Sequence, residues 1–182
     1  MRRYALSYTI LTIAAALLLN GCASSRHANS SEPLNSSANR QKEIRTKYAT
    51  ILQVDEVNVT NYTLYAFIDR WYGAPYHYGG HELTGVDCSA FTCILYQQVY
   101  GLELSGPAGD LYNQCEKVKV SDLKEGDLVF FRINSKNISH VGVYLQNNKF
   151  VHASVHSGVV IDDLSEAYYK KYFYKAGRLL KA

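Results

Sequence analysis

The hydrophobic period of this 182-residue chain changes once, near Gly106-Pro107, and that change limits the folds open to it. Before the break, apolar residues recur at helical spacing; after it they fall into short strand-like runs. Ile44, Tyr48, Ile51 and Leu52 predict an amphipathic helix over residues 40–53. Thr60-Asn61 supplies an N-cap for a second helix, with Leu64, Phe67, Ile68 and Trp71 on one stripe and Gly73-Ala74-Pro75 as its stop. Residues 76–86, with Gly79-Gly80 and Gly85, read as a loop. A third helix starts near Cys88, carries Phe91, Ile94, Leu95 and Val99, and stops at Gly101. Beyond the break, strands are expected over 127–133, 139–145, 149–155, 158–162 and 172–180, with a helical turn over 165–171. Helices first and antiparallel strands second is an α+β order.

The N-terminal segment fixes the expected compartment. Arg2-Arg3 precede an apolar run from Ile10 to Leu19, too short to cross a bilayer, so residues 1–21 read as a secretory signal. Leu19-Asn20-Gly21-Cys22 resembles the lipobox of bacterial lipoproteins, which makes Cys22 the lipidated N-terminus. By the sorting rule for such lipoproteins, Ala23 directs the chain to the periplasmic side of a Gram-negative outer membrane. Residues 22–39, rich in Ser, Asn and Ala, are expected to form a flexible tether, and 40–182 a single domain with its core over about 60–180. Arg2 and Arg3 leave with the signal, so the 19 Lys and Arg of the full chain fall by two against 16 Asp and Glu. That balance gives no footprint for nucleic acid. Sixteen tyrosines suit a groove for sugars or peptides, although most are expected in ordinary packing.

Chemistry concentrates at Asp87-Cys88-Ser89. A cysteine at a helix N-terminus sits where backbone N–H groups and the macrodipole favour a thiolate, and Asp87 is placed to cap that helix. His140 and His152 lie downstream on strand-like segments, the order of a Cys–His hydrolase. Strand alternation puts Val141, Val143 and Leu145 on one face and His140, Gly142 and Tyr144 on the other. Gly142 is expected to leave room for a helix. His152 shares the face of His140 only if the turn between them has an odd number of residues, which Gln146-Asn147-Asn148 would supply. Cys93 and Cys115 could pair in an oxidising compartment, with two free thiols as the simpler expectation. No compact ligand pair indicates zinc, and no metal or cofactor is expected. His77 and His81 read as groove or solvent residues, and His156 has no assigned role.

These segments together resemble the NlpC-type (NlpC/p60) family of cell-wall cysteine peptidases, in particular its outer-membrane lipoprotein murein endopeptidase branch. The resemblance spans Ile68 to Leu180. It rests on Pro75-Tyr76-His77-Tyr78-Gly79-Gly80, Gly85-Val86-Asp87-Cys88-Ser89, Gly126-Asp127-Leu128-Val129-Phe130-Phe131, Ser139-His140-Val141-Gly142-Val143-Tyr144 and Phe150-Val151-His152-Ala153-Ser154. It implies a papain-like α+β fold with helices packed on a central antiparallel sheet. It also implies Cys88 as nucleophile, His140 as base, His152 as the third polar residue, and Tyr76 assisting the Cys88 N–H in binding the oxyanion. The reaction implied is hydrolysis of peptidoglycan stem peptides or crosslinks through a thioester, at a D-alanyl–diaminopimelate or a γ-D-glutamyl–diaminopimelate bond. Peptidoglycan peptides and the membrane are then the partners; the sequence leaves the oligomeric state open, with a monomer as one reading. Two positions depart from the family pattern: Ala90 stands where glycine is usual, and Leu104-Ser105-Gly106-Pro107 replaces Leu-Pro-Arg followed by Ser or Thr. The lost arginine bears on substrate preference. A wall-binding lipoprotein without catalysis, or a thiol acyltransferase or amidase, would carry the same motifs.

Overall fold

The computed structural model describes residues 32–179, so the signal segment, Cys22 and the last three residues lie outside the described residues. The helices are α1 (Glu32–Leu52), α2 (Tyr62–Trp71), α3 (Cys88–Leu95), α4 (Ala108–Asn113) and α5 (Ala167–Tyr172). A small hairpin joins β1 (His81–Glu82) to β2 (Gly85–Val86) inside the expected loop. The main sheet comprises β3 (Glu116–Val118), β4 (Leu128–Phe131), β5 (His140–Tyr144), β6 (Lys149–Ser154), β7 (Gly158–Asp163) and β8 (Phe173–Arg178). Its order is β3-β8-β4-β5-β6-β7, antiparallel throughout. The α+β architecture expected from the change of period is the one observed.

One boundary moves. Helix α1 starts at Glu32, inside the segment assigned to the tether. Residues 36–43 are exposed, and burial begins with Ile44, Tyr48, Ala49 and Leu52. The first turns therefore carry no apolar stripe to read. Pro33 is tolerated in a first turn, and once the buried end is fixed each added residue extends the helix at little cost. Arg40 Nη2 and Lys47 Nζ both reach the carboxylate of Asp69 on α2, at 2.7 and 2.5 Å. Helix α2 follows its pattern: Asn61 Oδ1 accepts from the Leu64 N–H at 3.2 Å, and Leu64, Tyr65, Phe67, Ile68 and Trp71 are buried. Helix α3 passes into a π-helical turn over Tyr96–Tyr100 and ends at Gly101, whose φ of 68° suits glycine.

The sheet divides two apolar clusters. Leu128, Phe130, Val141, Val143, Val151 and Ala153 join the helices in the main core. Val129, Phe131, Phe150 and Ala176 face the other way, under Tyr169 of α5. Where α2 ends, the Gly73 N–H donates to Val159 O and the Val159 N–H to Ala74 O, stitching the chain ahead of Tyr76 onto the outer edge of β7. Gly158 at that contact has φ 70°, and a Cβ there would lie 2.2 Å from Ala74 O.

The β5–β6 connection has the required parity. Val143 pairs with Val151 and Tyr144 with Phe150, and the Leu145 N–H donates to Lys149 O, leaving 146–148 as the loop. Asn147 and Asn148 take left-handed φ values of 49° and 61°, which asparagine tolerates. His140 and His152 thus share a face. Their face is the one under α5, however, opposite the main core: the His140 ring lies 5.9 Å from Phe131 and the His152 ring 4.8 Å from Phe150. This corrects the reason for Gly142. A Cβ there would meet Phe150 Cδ2 at 2.6 Å, Val151 O at 3.0 Å and His152 Cβ at 3.2 Å, so its space is taken by the neighbouring strand and not by a helix. Gly142→Ala is expected to destabilise the fold by about 1–3 kcal/mol, as overpacking of a tight interior does. The measurement is a fall in urea midpoint at unchanged slope.

Candidate active site

Asp87 builds the start of α3. Its Oδ1 accepts from the Ala90 N–H and the Ser89 hydroxyl, both at 2.8 Å, capping the helix as its sequence position suggests. Its Oδ2 accepts from the Gly79 N–H at 3.0 Å, which ties the Tyr76–Gly80 loop to the helix. Tyr76 is itself bridged to Val86, with the Val86 N–H donating to Pro75 O and the His77 N–H to Val86 O. The phenol is half-buried within electrostatic reach of the thiol; burial, then Cys88 and Asp87, raise its pKa.

Cys88 is the first residue of α3 and is buried. The backbone N–H groups of Val141, next to His140, and of Ser89 face its sulfur and favour the thiolate. Strand alternation explains the Val141 contact. The Tyr144 N–H donates to Asp127 O ahead of β4, and the Leu145 N–H to Lys149 O at β6. Val141 shares the parity of Leu145, so its N–H points to the β6 side. The β5–β6 ladder comprises only Val143↔Val151 and Tyr144↔Phe150, and past its end the thiol takes the place of a β6 carbonyl.

Burial sets the protonation of the pair. It pushes the Cys88 thiol up to about 11, with the Val141 N–H opposing and the Asp87 carboxylate adding to the rise. Burial also holds His140 well below the ordinary histidine range; nearby His152 lowers it further, and Asp162 acts the other way. Burial thus works against the thiolate–imidazolium pair that the helix N-terminus alone suggests. Desolvation, which penalises both charged forms, outweighs the backbone donors.

His140 Nε2 lies 2.6 Å from His152 Nδ1, and His152 Nε2 lies 2.9 Å from Asp162 Oδ2. The Tyr169 hydroxyl donates to the same Asp162 oxygen and lies 3.3 Å from His152 Nε2. Sequence reasoning placed both histidines and missed Asp162 and Tyr169. The signal for Asp162 was the same parity argument carried one hairpin further. His152 pairs with Val160 on β7, so Asp162 is its same-face diagonal neighbour.

The remaining candidates separate. His140, His152, Asn134, His156 and Tyr168 line a cavity of about 320 Å³, so His156, without a role from sequence, borders the site. His77 and His81 line a second hollow of about 310 Å³ with Gly79, Gly80 and Glu82. Cys93 and Cys115 are free thiols; Cys115 Sγ donates to Leu111 O at 3.2 Å. Ala90 is half-buried against the core, and Leu104 and Ser105 line a hollow beside Cys93. Among the described residues no three His, Cys, Asp or Glu side chains converge in a way that would hold a metal ion.

The NlpC/P60 family profile matches residues 73–178, which contain every side chain of this constellation. The chain belongs to the NlpC/P60 family. It is similar to the murein DD-endopeptidase MepS/murein LD-carboxypeptidase of Escherichia coli, at 34% identity over 94% of this chain and 91% of that protein. It is also similar to a probable endopeptidase NlpC homolog of Haemophilus influenzae, at 36% identity over 75% of this chain and 69% of that one. Among solved structures, a lipoprotein-like NLP/P60 family protein of Staphylococcus aureus superposes with a TM-score of 0.61 at 27% identity. That match covers 70% of this chain and 43% of the longer protein. Within the NlpC/P60 domain, Asp87 both caps α3 and raises the thiol pKa. Asp87→Asn retains a capping acceptor and removes the charge, so the thiolate becomes easier to form. The pH midpoint for alkylation of Cys88 by iodoacetamide is expected to fall, with a modest drop in thermal midpoint because the amide nitrogen cannot accept from the Gly79 N–H.

Proposed function

We propose that the chain is a cysteine endopeptidase of peptidoglycan that hydrolyses the D-alanyl–diaminopimelate crosslink. The observation that carries this reading is the seat of Cys88. Its sulfur lies at a helix N-terminus against the strand that bears His140, and His140 is followed by a hydrogen-bonded chain through His152 to Asp162. The choice of bond is supported by the DD-endopeptidase activity for which the Escherichia coli relative is named. The periplasmic face of an outer membrane is the proposed location, with a lipid on Cys22 as anchor, supported by Leu19-Asn20-Gly21-Cys22 and Ala23.

In the proposed reaction His140 takes the thiol proton as the sulfur attacks the carbonyl carbon of D-alanine. The carbonyl oxygen becomes an oxyanion, held by the Cys88 N–H and the Tyr76 hydroxyl. Collapse breaks the C–N bond, and the imidazolium gives its proton to the departing diaminopimelate amine. Water then attacks the thioester, giving up a proton to His140, and the thiol leaves with that proton. Starting from a neutral pair, charge separates only as the nucleophile attacks.

The test is digestion of muropeptides of defined linkage, with products identified by mass. The mature domain is expected to cut the crosslinked dimer, and Cys88→Ala to leave it intact. Tyr76→Phe is expected to lower kcat by about 10²-fold, the scale of one oxyanion donor, with a smaller change in KM. Binding of the dimer without cleavage by the unsubstituted protein would overturn the peptidase reading. The pH profile follows from burial. His140 must be unprotonated to act, and its pKa lies below the usual 6.5. The acid limb of kcat/KM is therefore expected below pH 6.5, with activity retained where an ordinary histidine would already be charged.

A further inference from the structure

With both histidines neutral, the three-membered chain from His140 to Asp162 leaves one proton arrangement in which every contact is a hydrogen bond. The Asp162 carboxylate can only accept, so His152 Nε2, at 2.9 Å, carries a hydrogen. In neutral His152 the other nitrogen, Nδ1, then has a lone pair. At 2.6 Å it must accept from His140 Nε2–H, because two lone pairs at that distance repel. Neutral His140 is thereby left with its lone pair on Nδ1, the only nitrogen free to take a proton from Cys88. We propose that Asp162 is the positioning residue that sets the tautomers of both histidines and makes His140 Nδ1 the base, with the Tyr169 hydroxyl holding the carboxylate in line.

The surroundings support a carboxylate in that place. Asp162 is held below the usual carboxylate range, first by the hydrogen bond from His152 and then by Tyr169, so it is ionised at neutral pH. Its neighbour Asp163 is engaged separately by Lys149 at 2.9 Å, across the same strand pair. From α5, Tyr169 faces Asp162 directly, and Glu166 and Tyr168 add charge or polarity around the phenol. From β5 the facing group is His140. When His140 accepts the thiol proton, both its nitrogens carry hydrogens and Nε2–H still donates to His152 Nδ1. No proton needs to pass to His152 or Asp162. The carboxylate offsets the new charge through the intervening ring, the direction of its influence on His140.

This inference rests on the cysteine-peptidase reading, but its first test needs no substrate. Imidazole ¹⁵N NMR of His-labelled protein is expected to show His152 protonated on Nε2 and His140 lone-paired on Nδ1. Asp162→Asn keeps the size and lets the amide act as either acceptor or donor, so a mixture of tautomers is expected, with His140 titrating at lower pH. In muropeptide cleavage the same variant is expected to lose about 10- to 100-fold in kcat, the scale of outer-shell partners of a functional histidine. Its acid limb should move to lower pH, because a negative charge that stabilised the imidazolium is gone. Tyr169→Phe leaves that charge, so a smaller loss with the limb in place is expected. Native-like thermal midpoints for both variants would separate this from unfolding. Wild-type tautomers and an unmoved limb in Asp162→Asn would overturn the assignment, whether or not muropeptides prove to be the substrate. Absent cleavage with the predicted tautomers would instead count against the substrate alone.

Discussion

The contact between Cys88 Sγ and the Val141 N–H joins the two halves of this molecule. A sheet that opens between β5 and β6 leaves a buried donor at Val141, and such a donor without a partner costs about 1–3 kcal/mol. The N-terminus of α3 fills that gap with a sulfur atom. Helix position, sheet irregularity and thiol environment are therefore one feature. Moving α3 along its axis would orphan the donor and withdraw the thiol from the strand that bears His140.

The same burial that gives this contact its energetic weight works against ready ionisation. Backbone donors around the sulfur favour the thiolate, while desolvation pushes the Cys88 thiol up and holds His140 down. A raised thiol pKa makes Cys88 less open to adventitious oxidation, since reactivity follows thiolate character.

Much of this was legible from residue order. The change of period near Gly106-Pro107 gave the α+β class, and the odd-numbered Gln146-Asn147-Asn148 turn placed both histidines on one face. Asp87 caps α3 as its spacing implies. What could not be read were features decided by which face packs against what. Gly142 looked like clearance for a helix, because alternation says that two residues share a side without saying what covers it; the occupant is Phe150. Asp162 and Tyr169 are polar residues near the end of a strand and in a short helix, ordinary until the β6–β7 register sets them beside His152. The first turns of α1 hid because an exposed polar helix has no apolar stripe.

The stitch of Gly73 and Ala74 onto Val159 ties two distant parts of the site to one strand. Tyr76 lies two residues beyond Ala74, and Asp162 three residues beyond Val159 on β7. The phenol on the thiol's side and the carboxylate behind the histidines thus take their positions from a common ruler. The same two hydrogen bonds occupy the outer edge of β7 at Val159, where a free strand edge would otherwise invite a foreign chain to pair.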